Sequence, residues 1–468
     1  MSHKEVSSVE SKVESTMSTY AGQKWPHELE SFETDRWRLC VQSTPQGLPH
    51  DVEQLRRQVY VDEWGIMDHD HVICGNDFLG VHILLYDKLT NSLVACTHIV
   101  EAELSDFVEQ SGVSPRDLSE SVLSSRTTIA KPFRSRSLFQ LLVYAAVRHF
   151  RIQGRKFVVS YLQDGDHPTH KRFKMELIPH AKTRVVDLPN RHQVTLSPHA
   201  VSIEYAMYRS SLDLSDDVAA LCRLLSVSEI EYTVKKWAGE VNASAIWQRA
   251  QAGTLTKHQY AEFLAQLHHF VRNTTRVIAH AISKSEHKVL QKHFRKHMVE
   301  EVDHESIIES DLATLGVDAD YYTKGIGAHP GIWKFNGLQE ALLAYRSNPV
   351  LYMAVPFAVE GISAFISDKN VAALKNCARS WGYSAPEKVM RFLDSHREFD
   401  GQDGGHWEMT LDMIRRFVSS ERDTKDFLAI ARATVDNMLE MINETASQND
   451  AMNWTILEGS AVSRSQNI

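Results

Sequence analysis

The spacing of apolar residues changes period once along this chain, and that change restricts it to two folding units of different kinds. From about residue 35 to 210, short β-like runs alternate with helical ones. "VHILLYD" (81–87) and "SLVACTHIV" (92–100) are predicted as adjacent strands joined by the turn "KLTN". "SRTTIA" (125–130) and "KFVVSYL" (156–162) are further strands, and "SLFQLLVYAAVRHFRIQG" (137–154) has helical spacing and stops at a glycine. "VSIEYAMY" (201–208) is read as closing the pattern. Beyond "SSLDLSDDV" (210–218), long amphipathic helical runs take over, as in 257–282 and 424–444. The expected fold class is therefore an α/β domain followed by an all-α helix bundle. The linker is placed near 206–222. The predicted layout is a polar tail over 1–30, an α/β domain over 31–210, a linker or first helix over 211–224, a helical domain over 225–450 and a second tail over 451–468.

Composition excludes several function classes. At 468 residues, the chain exceeds one ordinary core. A net charge of −9 without a long basic tract gives nucleic-acid binding no support. The five cysteines form no CxxC pair, which argues against a disulfide scaffold or zinc ribbon and fits a reducing cytoplasm. No apolar stretch reaches the ~18–20 residues of a membrane span. The serine-rich first segment lacks the apolar core of a signal peptide and is read as a mobile tail.

The helical half carries a set of metal-ligand candidates. Glu301 and His304 lie three apart, which places them on one face of a helix. "VLYMAVPFAVEGISAFI" is apolar almost throughout yet holds one acid, Glu360. A buried lone carboxylate is costly unless paired or metal-bound. "FLDSHREFDGQDGGHWEM" adds His396 and Asp400 one helical turn apart, with His406 further on. Singly, each has a bland reading: a solvated helix face for the ExxH pair, a partner for a buried base at Glu360. Together they form a mixed N/O set from three segments, suited to iron or manganese and to a two-metal site in a bundle. His297, one turn before Glu301, is the reserve ligand.

"HMVEEVDHESIIESDLATLG", "FAVEGIS" and "SHREFD" resemble the haem-oxygenase-like diiron oxidase and oxygenase family over about residues 225–445. That resemblance implies two irons, O2 as co-substrate and a small-molecule substrate. The family's third ligand helix reads HxxxDxxH, whereas the position three after Asp400 here is Asp403, and a histidine comes only at 406. The sixth ligand is His406 if the helix bulges and Asp403 if it does not.

In the first half, "LRRQVYVDEWG" (55–65), "HILLYD" (82–87), "LSSRTTIAKPFRSRSLFQLLVYAAVRHF" (123–150) and "HPTHKRFKMEL" (167–177) resemble the GNAT acyltransferase fold, in its acyl-homoserine-lactone and N-acyl amino acid synthase branch. The resemblance places acyl-carrier phosphate at the loop Arg134, Ser135, Arg136 and Ser137, before a helix N-terminus. The donor would be acyl-CoA or an acyl-carrier protein. The glycines usual in that loop are missing. Glu63 and Arg126 are the catalytic candidates. For Glu63 and its neighbour Asp62 the choice lies between a solvated helix end and a general base or amine site; for Arg126, between a structural ion pair and a substrate-carboxylate binder. His98 is read as a satisfied core histidine.

The expected function is an O2-dependent diiron oxidase or oxygenase of natural-product metabolism. It would act on an amine- or carboxylate-bearing small molecule, by N-oxygenation or oxidative C–C cleavage, with an acyl-transfer domain attached. The alternative is an acyltransferase whose helical half only binds metal or a partner. A homodimer is compatible with either.

Overall fold

The computed structural model describes residues 30–43, 48–68, 72–163, 172–188, 193–345 and 348–447. The tails expected at the two ends, and residues 167–171 of the "HPTHKRFKMEL" stretch, lie outside the described residues. The chain divides into two compact units, Met1–Glu229 and Ile230–Ile468. The division falls inside a helix, Asp216–Asn242. Val218, Leu221, Cys222 and Leu225, in and just after the segment expected to be a linker, pack into the core of the first unit.

The first unit is built on one nine-stranded sheet. Its strands are β1 (Glu30–Glu33), β2 (Trp37–Ser43), β3 (Val81–Asp87), β4 (Ser92–Glu101), β5 (Ser121–Ile129), β6 (Phe157–Gln163), β7 (Glu176–Leu177), β8 (Arg184–Asp187) and β9 (Gln193–Ser202). The order is β1-β2-β3-β4-β5-β6-β9-β7, with β8 also on β9. Every pair is antiparallel except β5 with β6. Helix α1 (His50–Arg56) runs into a π-helical segment, Arg57–Glu63. Helix α2 (Arg136–Ile152) supplies the crossover between the parallel strands. Its inner face, with Leu141, Tyr144 and Phe150, packs with Leu39, Ile83 and Leu85 of the sheet.

Two sequence expectations need correction here. "VSIEYAMY" is not a strand beyond Ser202, because Ser202 caps a helix, Ile203–Ser210, by accepting from the Tyr205 amide. The run 257–282 is two helices, α3 (Lys257–Val271) and a second over Thr274–Lys284, separated at Arg272–Asn273.

The second unit is all helical among its described residues. It includes α4 (Lys288–Glu300), α5 (His304–Thr314), α6 (Pro330–Tyr345), α7 (Ala354–Ala364), α8 (Arg391–Gly401), α9 (His406–Phe417) and α10 (Glu421–Ser447). Helix α7 lacks a polar face, and a helix apolar nearly all round belongs in the centre. It packs against α8, α9 and α10. Gly361 makes that centre possible: a Cβ there would lie 2.5 Å from the Trp407 ring, which stacks on Phe357 with centroids 3.8 Å apart. Gly361→Ala is expected to destabilise the protein by about 1–3 kcal/mol through overpacking, read as a lower denaturation midpoint. An unchanged midpoint would mean that Trp407 moves freely. No single helix among the described residues is long and apolar enough to cross a membrane.

Candidate metal centre

The chain breaks where continuous helix was expected. Helix α4 ends at Glu300, Glu301 keeps the last turn by donating its amide to the His297 carbonyl, and α5 begins only at His304. Asp303, between them, has φ +64°, a left-handed conformation unusual for a residue with a side chain. Glu301 and His304 therefore do not share a helix face. They meet because the break turns both side chains inward, with His304 Nδ1 3.1 Å from Glu301 Oε2.

Glu301 is the hub of the cluster. Its other oxygen, Oε1, lies 3.4 Å from His297 Nε2 and 3.8 Å from His406 Nδ1. Two groups of three ligand atoms result, His297–Glu301–His406 and Glu301–His304–His396, each with its atoms within 4.8 Å of one another. Glu301 belongs to both, as a carboxylate shared between two ions would. His396 Nδ1 sits 2.9 Å from the Phe392 carbonyl, which places the proton on Nδ1 and leaves Nε2 as the donor atom.

Asp400 and His406 come from different helices. The "GQDGG" stretch ends α8, and a turn with Gly404 at φ +74° leads into α9, whose first residue is His406. His406 Nδ1 is 2.9 Å from Asp400 Oδ1, whereas Asp403 is exposed in the turn. The Ser363 hydroxyl donates to the second oxygen of Asp400. His406 Nε2 also lies 3.3 Å from Glu300 Oε2, a neighbour the sequence had not singled out. Its only signal was position, directly before Glu301.

Glu360 enters from α7, 5% exposed, and neither of its oxygens makes a hydrogen bond. Its nearest cationic partner is His297 Nε2 at 3.4 Å, and the fully buried Thr410 hydroxyl lies near enough to favour its charged form. Native proteins rarely leave buried oxygens without a hydrogen bond. A metal ion would satisfy them, and an O/N donor set of this composition suits iron. The residues present thus fit a metal centre.

The carboxylates and imidazoles of the cluster set one another's charge. Burial raises the pKa of Glu360, with a push in the same direction from Asp400, and this outweighs the opposing pull of His297, His406 and Thr410. For Glu301, burial is outweighed by hydrogen bonds from His297 and His304, which hold its carboxyl well below the usual range. Burial lowers His396, favouring the neutral imidazole that binds metal. In His406, burial is overcome by Asp400, Glu360 and Glu301, and the pKa rises to about 9.

The cluster opens on a cavity of about 1050 Å3, including its part open to solvent. Glu301, Glu360, His396 and Asp400 line one part of it, and the rest of its wall is mostly apolar.

In the first unit, the candidate residues are tied to one another. Glu63 ends the π-helical segment and pairs with Arg134, whose guanidinium also lies over the Trp64 ring at 5.2 Å. Ser135 caps α2 by accepting from the Leu138 amide, Ser137 accepts from the Ser215 amide, and exposed Arg136 pairs with Asp213 at 3.0 Å. Arg126 adopts φ +53° beside the irregular β4–β5 register and donates to the Val72 carbonyl at 2.5 Å. Both ring nitrogens of buried His98 have partners, Ser125 and the Leu79 carbonyl.

Residues 261–438 match the family model described as "iron-containing redox enzyme", a span that contains every ligand candidate above. Over that span the second unit is similar to haem-oxygenase-like, iron-containing redox enzymes. No curated protein matches the chain significantly. Among solved structures, a heme oxygenase-like domain of unknown function from Shewanella denitrificans covers 50% of this chain and 94% of its own, at 16% identity and TM-score 0.42. A GCN5-related N-acetyltransferase from Brucella melitensis covers 42% of this chain and 93% of its own, at 10% identity and TM-score 0.27. A CoA-dependent acyl-homoserine lactone synthase, solved with SAM and isopentyl-CoA, covers 37% and 90%, at 14% identity and TM-score 0.26.

Proposed function

We propose that the second unit is an O2-dependent, non-haem diiron oxidase or oxygenase acting on an amine- or carboxylate-bearing small molecule. The observation that carries this reading is Glu301 shared between two three-residue ligand groups, with the buried carboxylate of Glu360 3.4 Å from His297 of the first. His297, Glu301, Glu360 and His406 would hold one iron, with Glu301, His304 and His396 at the other and Asp400 beside His406. Bound iron supplies dioxygen activation. The chain's own residues do the rest. The Phe392 carbonyl fixes the tautomer of His396, and Ser363 orients Asp400. The apolar wall excludes water from the reacting end of a substrate.

For the first unit we propose binding of an acyl donor. Strand β5 pairs with β6 only over Ser121–Leu123 and then runs on to Ile129, so the two parallel strands splay apart. Helix α2 begins after that splay, capped by Ser135, and the dipole of a helix N-terminus favours an anionic group. The pairing of Arg134 with Glu63 supports a role for both in shaping that loop.

The test is anaerobic Fe(II) titration of the full chain, followed by O2 exposure and watched by absorption and Mössbauer spectroscopy. Two ions per chain and a magnetically coupled ferric pair after oxidation are expected. Binding of a single ion, or of none, would defeat the diiron reading.

A further inference from the structure

Among the four imidazoles of the two ligand groups, His406 is the one with a carboxylate at each ring nitrogen. Nδ1 faces into the cluster, 2.9 Å from Asp400 Oδ1 and 3.8 Å from Glu301 Oε1. Nε2 faces away from it, 3.3 Å from Glu300 Oε2. Glu300 closes α4 and His406 opens α9, so the contact exists because these two helix ends pack together. The other oxygen of Glu300, Oε1, lies 3.6 Å from Nζ of Lys296, one turn earlier on α4. Glu300 is thus held between a lysine and the imidazole. Its side chain is 37% exposed, at the rim of the site, whereas Asp400 and Glu301 are buried.

A neutral imidazole carries one N–H and one lone pair, and the nitrogen that gives its proton to a partner leaves the other for a metal. To share an ion with Glu301 and His297, His406 must present its lone pair on Nδ1, the nitrogen beside Glu301. The proton then sits on Nε2, and Glu300 stands there to accept it. His396 makes the same division with the nitrogens exchanged, its Nδ1 facing the Phe392 carbonyl. An anionic acceptor behind a ligating imidazole strengthens it as a donor more than a neutral carbonyl does.

Resting on the diiron reading above, we propose that Glu300 is the positioning residue of the His406 ligand: it accepts from Nε2, fixes the tautomer and makes Nδ1 the iron donor. Glu300 acts through the imidazole and does not itself touch the ion. The two irons are then unequal, one backed by a carboxylate through His406 and the other by a backbone carbonyl through His396.

The test compares the full chain with its Glu300→Ala and Glu300→Gln variants in anaerobic Fe(II) titrations against a competing chelator, with circular dichroism confirming each fold. Glu300→Ala should bind one of its two ions about 10–100-fold more weakly and the other as the parent does. Parent affinity at both ions, or an equal loss at both, would overturn the proposal. Glu300→Gln keeps an oxygen that accepts from Nε2 and should recover most of the loss. A glutamine variant as weak as the alanine one would mean that Glu300 ligates iron directly or acts by charge alone, which also overturns it. In Mössbauer spectra of the fully loaded alanine variant, one quadrupole doublet should shift and the other stay. Two unshifted doublets would count against the proposal. A crystal structure of the Fe(II)-loaded parent should show His406 bound through Nδ1, and coordination through Nε2 would overturn the assignment. The parent's stoichiometry reports on the diiron reading by itself: a single ion there sinks that reading, while the ratio of parent to variant affinity still decides the role of Glu300.

Discussion

The Glu301→Ala protein is expected to bind no iron, falling from two ions per chain to none in an anaerobic Fe(II) titration. The reason is the position of its two oxygens. Oε2 faces His304 at 3.1 Å, and Oε1 faces His297 at 3.4 Å and His406 at 3.8 Å, so one truncation removes a donor from both ligand groups. His304→Ala and His297→Ala each touch one group and should each leave one ion bound. In the metal-free state the Glu301 variant should also lose about 1–3 kcal/mol, because it strips a partner from buried imidazoles. One ion retained in Glu301→Ala would show that the carboxylate is not shared. His406→Ala, which also touches one group, should leave one ion bound, and Asp403→Ala, exposed in the turn, should bind iron as the parent chain does.

The Glu360→Leu protein is expected to be more stable than its parent without metal and incapable of full metal loading. A carboxylate buried on the central helix, with His297 at 3.4 Å as its nearest cationic partner, has its desolvation penalty only partly offset, as its raised pKa records. Replacing it with a good helix former of similar size should recover about 1–3 kcal/mol. For a unit of this size that is roughly 2–4 °C in melting temperature for each kcal/mol. The sign of the pH dependence follows from the raised pKa of Glu360. A carboxyl whose pKa rises on folding favours the folded state while protonated, and that contribution is lost as pH climbs through the folded value. The advantage of the leucine variant should thus be small in acid and grow toward pH 7. Saturating Fe(II) should reverse the ranking, since ligand binding stabilises only the parent fully. A metal-free Glu360→Leu protein that melts below the parent at pH 7 would mean that the carboxylate is already well satisfied. A stabilising variant that forfeits the ligand is the trade-off expected of a functional site.

Much of the architecture was legible because it depends on local periodicity. Strands β3 and β4 carry long buried runs, β6 buries Val158 and Val159, and α2 repeats leucine and alanine at helical spacing. Glu360 stood out for the same reason, as the one acid in an otherwise apolar helix. What periodicity missed were the breaks. The interruption at 301–303 lies within a charge-rich run that scores as helix residue by residue, and only the packing of His304 and Glu301 against other helices selects the left-handed Asp303. The strand expected through 201–208 failed because Ser202 offers a helix cap that outweighs the β-branched residues around it.

The sequence by itself determined that there are two units of different class, that one acid is buried in the second, and that histidines and carboxylates lie close enough along the chain to join it. Only the tertiary structure decided how they combine. It drew His297 in at the level of the other ligands, made Glu301 the common member of two groups, left Asp403 outside and tied Arg134 to Glu63. The physical reason is that a ligand set is a relation among side chains from separate helices. Spacing along one helix reports which residues share a turn, whereas the break after α4, the turn before α9 and the packing around α7 determine which atoms lie within reach of one ion.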